Sequence, residues 1–216
     1  MNARQPSPQP IFITLDGIDG VGKTTQVERL SEHLRSLGHQ VLCVRDPGGT
    51  AIGAQLREIL LDSDCELHRR TEAMLFMASR CEMIETILRP AMESGQTIIS
   101  DRFLLANVVY QSIGGEVTAD QLWQMGNWAC GGFRPDLTLL LDMPAAAAMK
   151  RFDQPADRME SRGVEYLSSV RQAFLDQLPR SSDATVVINA DRTPEAVSEE
   201  LRTSVEAFLD ARNEQR

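Results

Sequence analysis

Apolar residues recur along the chain in short continuous runs separated by longer stretches with helical spacing. Ile11-Phe12-Ile13-Thr14-Leu15 is the first run. Residues 22–37 follow with Val27, Leu30, Leu34 and Leu37 at helical intervals, until Gly38 stops the helix. Val41-Leu42-Cys43-Val44 predicts a second buried strand, and Asp46-Pro47-Gly48-Gly49-Thr50 is a turn cluster that offers an N-cap to the next helix. Helices are expected over about 52–61 and 71–88, then a strand at Thr97-Ile98-Ile99-Ser100 behind Gly95. Leu137-Thr138-Leu139-Leu140-Leu141 and Thr185-Val186-Val187-Ile188 complete five buried runs. Helical pattern at 118–129, 145–152, 164–178 and 194–211 fills the intervals. Such alternation predicts an α/β fold: a five-stranded parallel sheet flanked by helices on both faces.

At 216 residues, with no repeat or linker, the chain is expected to form a single domain over 11–216. Met1 to Pro10 carries three prolines and no apolar core, so it reads as a disordered lead-in and not as a signal peptide. No apolar run reaches the ~18 residues of a membrane span, which with the missing signal points to a cytoplasmic protein with no membrane partner. Cys43, Cys65, Cys81 and Cys130 lack metal spacing and read as reduced packing thiols. A net charge of −9 argues against a nucleic-acid surface, so any phosphate site must be local. Lys23 and Lys150 are the only lysines; the remaining basic residues are arginines, suited to bidentate phosphate contacts but also a product of genomic bias.

Gly17-Ile18-Asp19-Gly20-Val21-Gly22-Lys23-Thr24 follows a strand and opens a helix. GxxxxGK[ST] in that context is a phosphate-binding loop, in which glycines turn backbone N–H groups inward and the helix N-terminus adds positive charge. Gly17, Ile18, Asp19, Gly20, Val21, Gly22, Lys23, Thr24 and Thr25 are the expected ATP-binding residues. Lys23 should contact the β- and γ-phosphates and Thr24 should ligate Mg²⁺. The loop alone does not choose between a kinase and a nucleotide-gated switch. No lysine sits in the NKxD context of a guanine reader, although Asp46-Pro47-Gly48-Gly49 fits a loose DxxG pattern. Asp101-Arg102 follows the third strand directly, at the carboxyl end where ligands bind in open α/β sheets. There a carboxylate can hold Mg²⁺ through water and an arginine can clamp a phosphate; an isolated pair would equally suit a surface salt bridge.

Taken together, these residues resemble the bacterial thymidylate kinases, with the three-layer fold of the P-loop nucleoside-monophosphate kinases. The resemblance runs over residues 11–212 and rests on the loop 17–24, Arg45-Asp46-Pro47-Gly48-Gly49-Thr50, Phe76-Met77-Ala78-Ser79-Arg80, Asp101-Arg102-Phe103 with Tyr110-Gln111, Arg134-Pro135-Asp136-Leu137-Thr138 with Leu141-Asp142, and Asp157-Arg158-Met159-Glu160.

It implies transfer of the γ-phosphoryl of ATP to dTMP with Mg²⁺, and a homodimer. A kinase for another monophosphate and a non-catalytic ATP-binding paralogue are the alternatives. Asp19 would accept a hydrogen bond from the deoxyribose 3′-OH, Arg45 and Arg102 would flank the dTMP phosphate, and Pro47 would pack on the nucleoside. Phe76 and Arg80, four apart on one helix face, would stack on and bond to thymine, although spacing alone also fits a core Phe beside a solvated Arg. Asn107, Tyr110 and Gln111 would line the same pocket, with Tyr110 crowding the 2′ position or lying in the core.

A lid over about 150–162 would supply Arg151 and Arg158, and with less support Arg162, to the transferring phosphoryl group, a duty that falls there because Gly20 replaces the loop arginine of some members. A solvated charge cluster is the other reading of those arginines. Leu75, Met83 and Ile84 could serve a dimer interface or the core. The family more often has glutamate at 16 and 46, serine at 106 and aspartate at 189.

Overall fold

The computed structural model describes residues 8–62, 66–151 and 163–214. β1 (Phe12–Asp16), β2 (Val41–Arg45), β3 (Thr97–Asp101), β4 (Leu137–Asp142) and β5 (Ala184–Asn189) form one sheet in the order β2-β3-β1-β4-β5. Every pairing is parallel, as the unbroken apolar runs require of strands covered by crossover helices. The helices are α1 (Lys23–Ser36), α2 (Ala51–Arg57), α3 (Arg69–Met83), α4 (Arg89–Glu93), α5 (Leu104–Ser112), α6 (Ala119–Ala129), α7 (Ala145–Met149), α8 (Gly163–Gln177) and α9 (Pro194–Glu214). α1 packs on α9, whereas α5 packs on α3, α6 and α8.

Side chains alternate along β1, so Phe12, Thr14 and Asp16 share one face. Phe12 meets the Phe103 ring edge-on at 5.0 Å and the Phe133 ring at 5.2 Å, which places that face toward the start of α5. On the same face Thr14 Oγ1 donates to Thr138 Oγ1 of β4 at 3.1 Å. Two helix starts legible in the sequence carry their caps. Thr50 Oγ1 accepts from Gly53 N at 2.8 Å, and Thr118 closes a reciprocal capping box with Gln121.

Several expectations need correction. The second and fifth strands lie at the two edges of the sheet and are only partly buried, with Cys43 exposed and Val187 45 % exposed. An apolar run marks strand character but carries no information on sheet order, and Cys43 is therefore not a packing thiol. Cys130 is buried, Cys81 is half-buried, and Cys65 lies outside the described residues.

The helix expected over 71–88 starts at Arg69 and continues through a π turn at Ile84–Leu88 into α4. Pro90 has no N–H for an α-helical bond, and the wider turn just before it accommodates the ring without ending the helix. Leu37, expected on the apolar stripe of α1, is instead its C-cap and 45 % exposed, with Gly38 following at φ +92°. α7 stops at Met149, short of the expected 152. Residues 8–10 form no regular element and residues 1–7 of the lead-in lie outside the described residues.

Candidate active site

The loop between β1 and α1 turns on three glycines with positive φ, Gly17, Gly20 and Gly22. At Gly17 close packing adds a second requirement, because a Cβ there would sit 2.4 Å from the Leu141 carbonyl oxygen of β4. Lys23 opens α1 with its side chain turned back over the loop. Its Nζ donates to Gly17 O at 3.1 Å and Ile18 O at 2.8 Å and lies 3.7 Å from Asp19 Oδ1. Burial, helped by the Arg102 charge, pushes the Lys23 amine down to about 8 against the pull of Asp19, Asp101 and Asp16.

Thr24 and Thr25 are exposed on the first turn of α1. Thr24 Oγ1 donates to Asp101 Oδ2 at 3.2 Å, and the buried Asp101 Oδ1 has no partner among the described residues. Among the described residues no group of three or more His, Cys, Asp or Glu side chains is placed to hold a metal. A hydroxyl beside one carboxylate fits Mg²⁺, which keeps most of its shell as water and phosphate oxygens, and does not fit an all-protein cage.

Arg102 stands at the end of β3 with φ +69°, the one non-glycine residue in the left-handed region among those described. That conformation costs on the order of 1–2 kcal/mol, and the surroundings hold it. Arg102 N donates to Leu15 O at 2.9 Å, and Arg102 O accepts from Ser100 Oγ at 2.5 Å. So turned, the guanidinium donates through Nη1 to Gly17 O at 3.0 Å and through Nη2 to Asp19 Oδ1, and lies 5.1 Å from the Tyr110 ring centroid. The Tyr110 hydroxyl donates to Asp19 Oδ2 at 3.0 Å, while its ring packs edge-on against Phe174 at 5.8 Å. Tyr110 is thus both a core ring and a pocket hydroxyl. Burial alone would raise the Asp19 carboxyl, but Arg102, Lys23 and the Tyr110 hydroxyl hold it well below the usual carboxylate range.

Beside this cluster a polar chain crosses from the exit of β2 to α3. Arg80 donates through Nε to Asp46 Oδ2 at 2.5 Å and through Nη1 to Asn107 Oδ1 at 3.0 Å. Asn107 Nδ2 donates to Gln111 Oε1 at 2.7 Å, and Gln111 Nε2 to Glu72 Oε1 at 3.0 Å. Asp19, Arg45, Pro47, Phe76, Arg80, Arg102, Asn107, Tyr110 and Gln111, the whole expected acceptor set, line one cavity. Of the loop residues 17–25, Asp19 alone does so. Arg45 is exposed at the end of β2 and forms no ion pair with a described residue.

Sequence reasoning did not assign Asp46, Arg57, Leu61 and Phe103, which also line the cavity. Arg57 braces it from α2 by donating to Pro47 O at 2.9 Å. Their signal was adjacency: Asp46 follows Arg45, Phe103 follows Arg102, and Arg57 and Leu61 are four apart after the turn cluster. Glu72, eight residues before Arg80, had no sequence signal.

Of the expected lid arginines only Arg151 is described, and it does not line this cavity. Arg151, just past α7, is exposed and donates through Nη2 to Ala190 O at 3.2 Å and Arg192 O at 3.4 Å, in the loop between β5 and α9. Arg158 and Arg162 lie outside the described residues.

A sequence model of a family described as thymidylate kinase matches residues 15–201. The chain is 65 % identical over 197 residues to a thymidylate kinase of Rhodopirellula baltica, covering 91 % of this chain and 80 % of that protein. It is 41 % identical over 191 residues to a thymidylate kinase of Bifidobacterium longum, covering 87 % and 93 % of the two chains. It is 40 % identical over 205 residues to a thymidylate kinase of Desulforudis audaxviator, covering 94 % and 93 %.

Proposed function

The chain belongs to the thymidylate kinase family, and on that premise we propose how its residues divide the work of moving the γ-phosphoryl of ATP to dTMP. It is a phosphotransferase acting on dTMP. The observation that carries the division of labour is the position of Asp19, which belongs to the phosphate loop and also lines the cavity.

Residues 17–25 hold the ATP phosphates, with Lys23 exchanging its two loop carbonyls for β- and γ-phosphate oxygens. Arg45 and Arg102 take the acceptor phosphate and lower the repulsion between two polyanions. Phe76 faces thymine from α3, with Pro47 opposite and Arg80 fixed for a base oxygen by Asp46 and Asn107. Asn107 and Gln111 complete the pocket edge. Asp19, ionised and held by Arg102 and Tyr110, orients the acceptor sugar, and the Tyr110 hydroxyl restricts the 2′ side. Because phosphoryl transfer depends chiefly on positioning and charge stabilisation, these contacts are the catalytic apparatus.

Thr24 and Asp101 would hold Mg²⁺ at the phosphates, where it would supply positive charge to their oxygens. Arg151 and Arg158 are assigned to the transferring group during closure, which requires Arg151 to leave Ala190 O and Arg192 O.

The resemblance also carries a homodimer into the proposal. Met83 and Ile84 are fully buried and belong to the core, and Leu75 is half-buried. An interface over α3 and α6 would use exposed Met74 and Trp128. Cytoplasmic residence is proposed with it; among the described residues no helix is long and apolar enough to cross a membrane.

The test is an ADP-release assay with dTMP, dUMP, UMP and thymidine in competition. dTMP should be preferred, and Lys23→Ala should abolish turnover in a folded protein. A preference for thymidine, or normal turnover by Lys23→Ala, would overturn the assignment.

A further inference from the structure

A second cavity, of about 270 Å³, lies between the sheet and the layer formed by α5 and α6. Its lining shares only Phe103 with the acceptor pocket, so that ring separates the two spaces. At its inner end are Asp16, Thr14 and Thr138, all almost fully buried. Asp16 is two residues from Thr14 on β1 and therefore projects from the same sheet face as the Thr14–Thr138 hydroxyl pair. Neither Asp16 carboxylate oxygen has a hydrogen-bond partner among the described residues, although both are buried. Buried carboxylates are almost always paired or hydrogen-bonded, so an orphaned one in a lined cavity marks a place where a donor is missing.

The walls define what that donor can be. Trp123, Phe133 and Phe103 line the space with aromatic rings, the Arg180 guanidinium lying 5.4 Å from the Trp123 ring centroid. Toward the mouth, exposed Arg134 and Arg180 are each neutralised by a carboxylate, Asp183 at 3.2 Å and Asp120 at 2.6 Å, so that they present no net positive barrier. A dry cavity of about 150 Å³ suffices for a benzene ring, so this one has room for a ring bearing a short polar group.

We propose that this cavity is a second ligand site, behind the phosphate loop and divided from the acceptor pocket by Phe103, for a small planar organic cation of the amidinium or aminopyridinium type. Two N–H groups on one edge pair with the Asp16 carboxylate in the fork geometry that carboxylates favour, and the ring lies among the aromatic walls. The site fits a cation and not a carboxylate or phosphate, because among the described residues lining it the one buried side chain without a hydrogen-bond partner is itself an acid.

Benzamidine is the probe and benzoate, the same ring with the opposite charge, is the control. Binding to the full-length protein is measured by titration calorimetry with dTMP and ADP saturating, which keeps the probe out of the substrate sites. One equivalent of benzamidine should bind, benzoate should not, and Asp16→Asn should weaken benzamidine at least about tenfold, the scale of losing a charge-assisted pair. Cys130→Phe, which fills the cavity from its wall, should abolish binding and covers the case in which Asp16→Asn fails to fold. Absence of benzamidine binding, equal binding of benzoate, unchanged affinity in folded Asp16→Asn, or retained affinity in Cys130→Phe each overturns the proposal.

Discussion

Arg80 on α3 and Asp46 at the exit of β2 are 34 residues apart in sequence and meet through an Nε–H to Oδ2 bond of 2.5 Å, both side chains 1 % exposed. The pair ties α3 to the sheet and fixes the guanidinium that continues to Asn107. Removing one partner leaves the other charge buried and alone. Asp46→Ala should therefore destabilise the fold by about 3–5 kcal/mol, read as a lower urea midpoint at unchanged slope. A loss below about 1 kcal/mol would place the pair among weak surface contacts.

Arg45 is the contrasting case, since it lines the same cavity from an exposed position without an ion-pair partner among the described residues. Arg45→Ala should change stability by less than about 0.5 kcal/mol. It should raise the KM for dTMP roughly ten- to a hundredfold, the value of one charge-assisted phosphate contact. Steady-state kinetics with dTMP varied at saturating ATP decide it, and an unchanged KM would remove Arg45 from the acceptor site.

The Lys23 amine, lowered to about 8 by burial and Arg102, loses its proton within the working range of an assay. Deprotonation removes the charge meant for the donor phosphates. Thus kcat/KM for ATP should fall as pH rises through about 8 in the free enzyme. The kcat limb should lie higher, because bound polyphosphate stabilises the ammonium form. Burial and Asp19 raise Tyr110 far above this window, so it contributes no competing limb. A profile for kcat/KM that stays flat from pH 7 to about 10 would contradict this state of Lys23.

Asp16 provides a pH dependence of the opposite origin. Burial raises its carboxyl from 3.8 to about 6, opposed by Arg102 and Lys23 and reinforced by Asp101 and Asp46. Between those values the folded chain holds a proton that the unfolded chain has released, so the Asp16 contribution falls as pH rises from 3.8 to about 6 and stays low above it. At about 1.4 kcal/mol per pKa unit the window is worth roughly 3 kcal/mol. Asp16→Asn removes this contribution. Its stability relative to the parent should improve by that order between the acid and alkaline sides, measured by urea denaturation across pH. A difference independent of pH would show that the carboxyl titrates normally.

The strands and most helices were legible because apolar runs and three-to-four spacing are local properties. Gly17 to Thr24 was legible for the same reason, as eight contiguous residues specify one backbone path. Sheet order was not, so β2 and β5 read as buried until their edge positions were seen. The π turn before Pro90 was hidden because a proline reads as a stop, whereas the neighbouring turn can widen to keep the helix going. The Asp46–Arg80 and Gln111–Glu72 bonds join segments distant in sequence, which no spacing rule reaches. Arg151 shows a further limit: its charge was legible, but its hold on the Ala190 and Arg192 carbonyls depends on where β5 ends.

The carbonyl oxygen of Gly17 accepts from two cations at once, Lys23 Nζ at 3.1 Å and Arg102 Nη1 at 3.0 Å. On the proposed division one cation serves the donor nucleotide and the other the acceptor, so this single peptide group would be a junction between the two substrates. Each cation already has a partner before either substrate arrives, and binding therefore swaps one hydrogen bond for another, with a modest net gain per contact. When the first substrate draws its cation away, the remaining one no longer shares the oxygen. On that division the affinity for each substrate should depend on the presence of the other, and by linkage the factor should be the same in both directions.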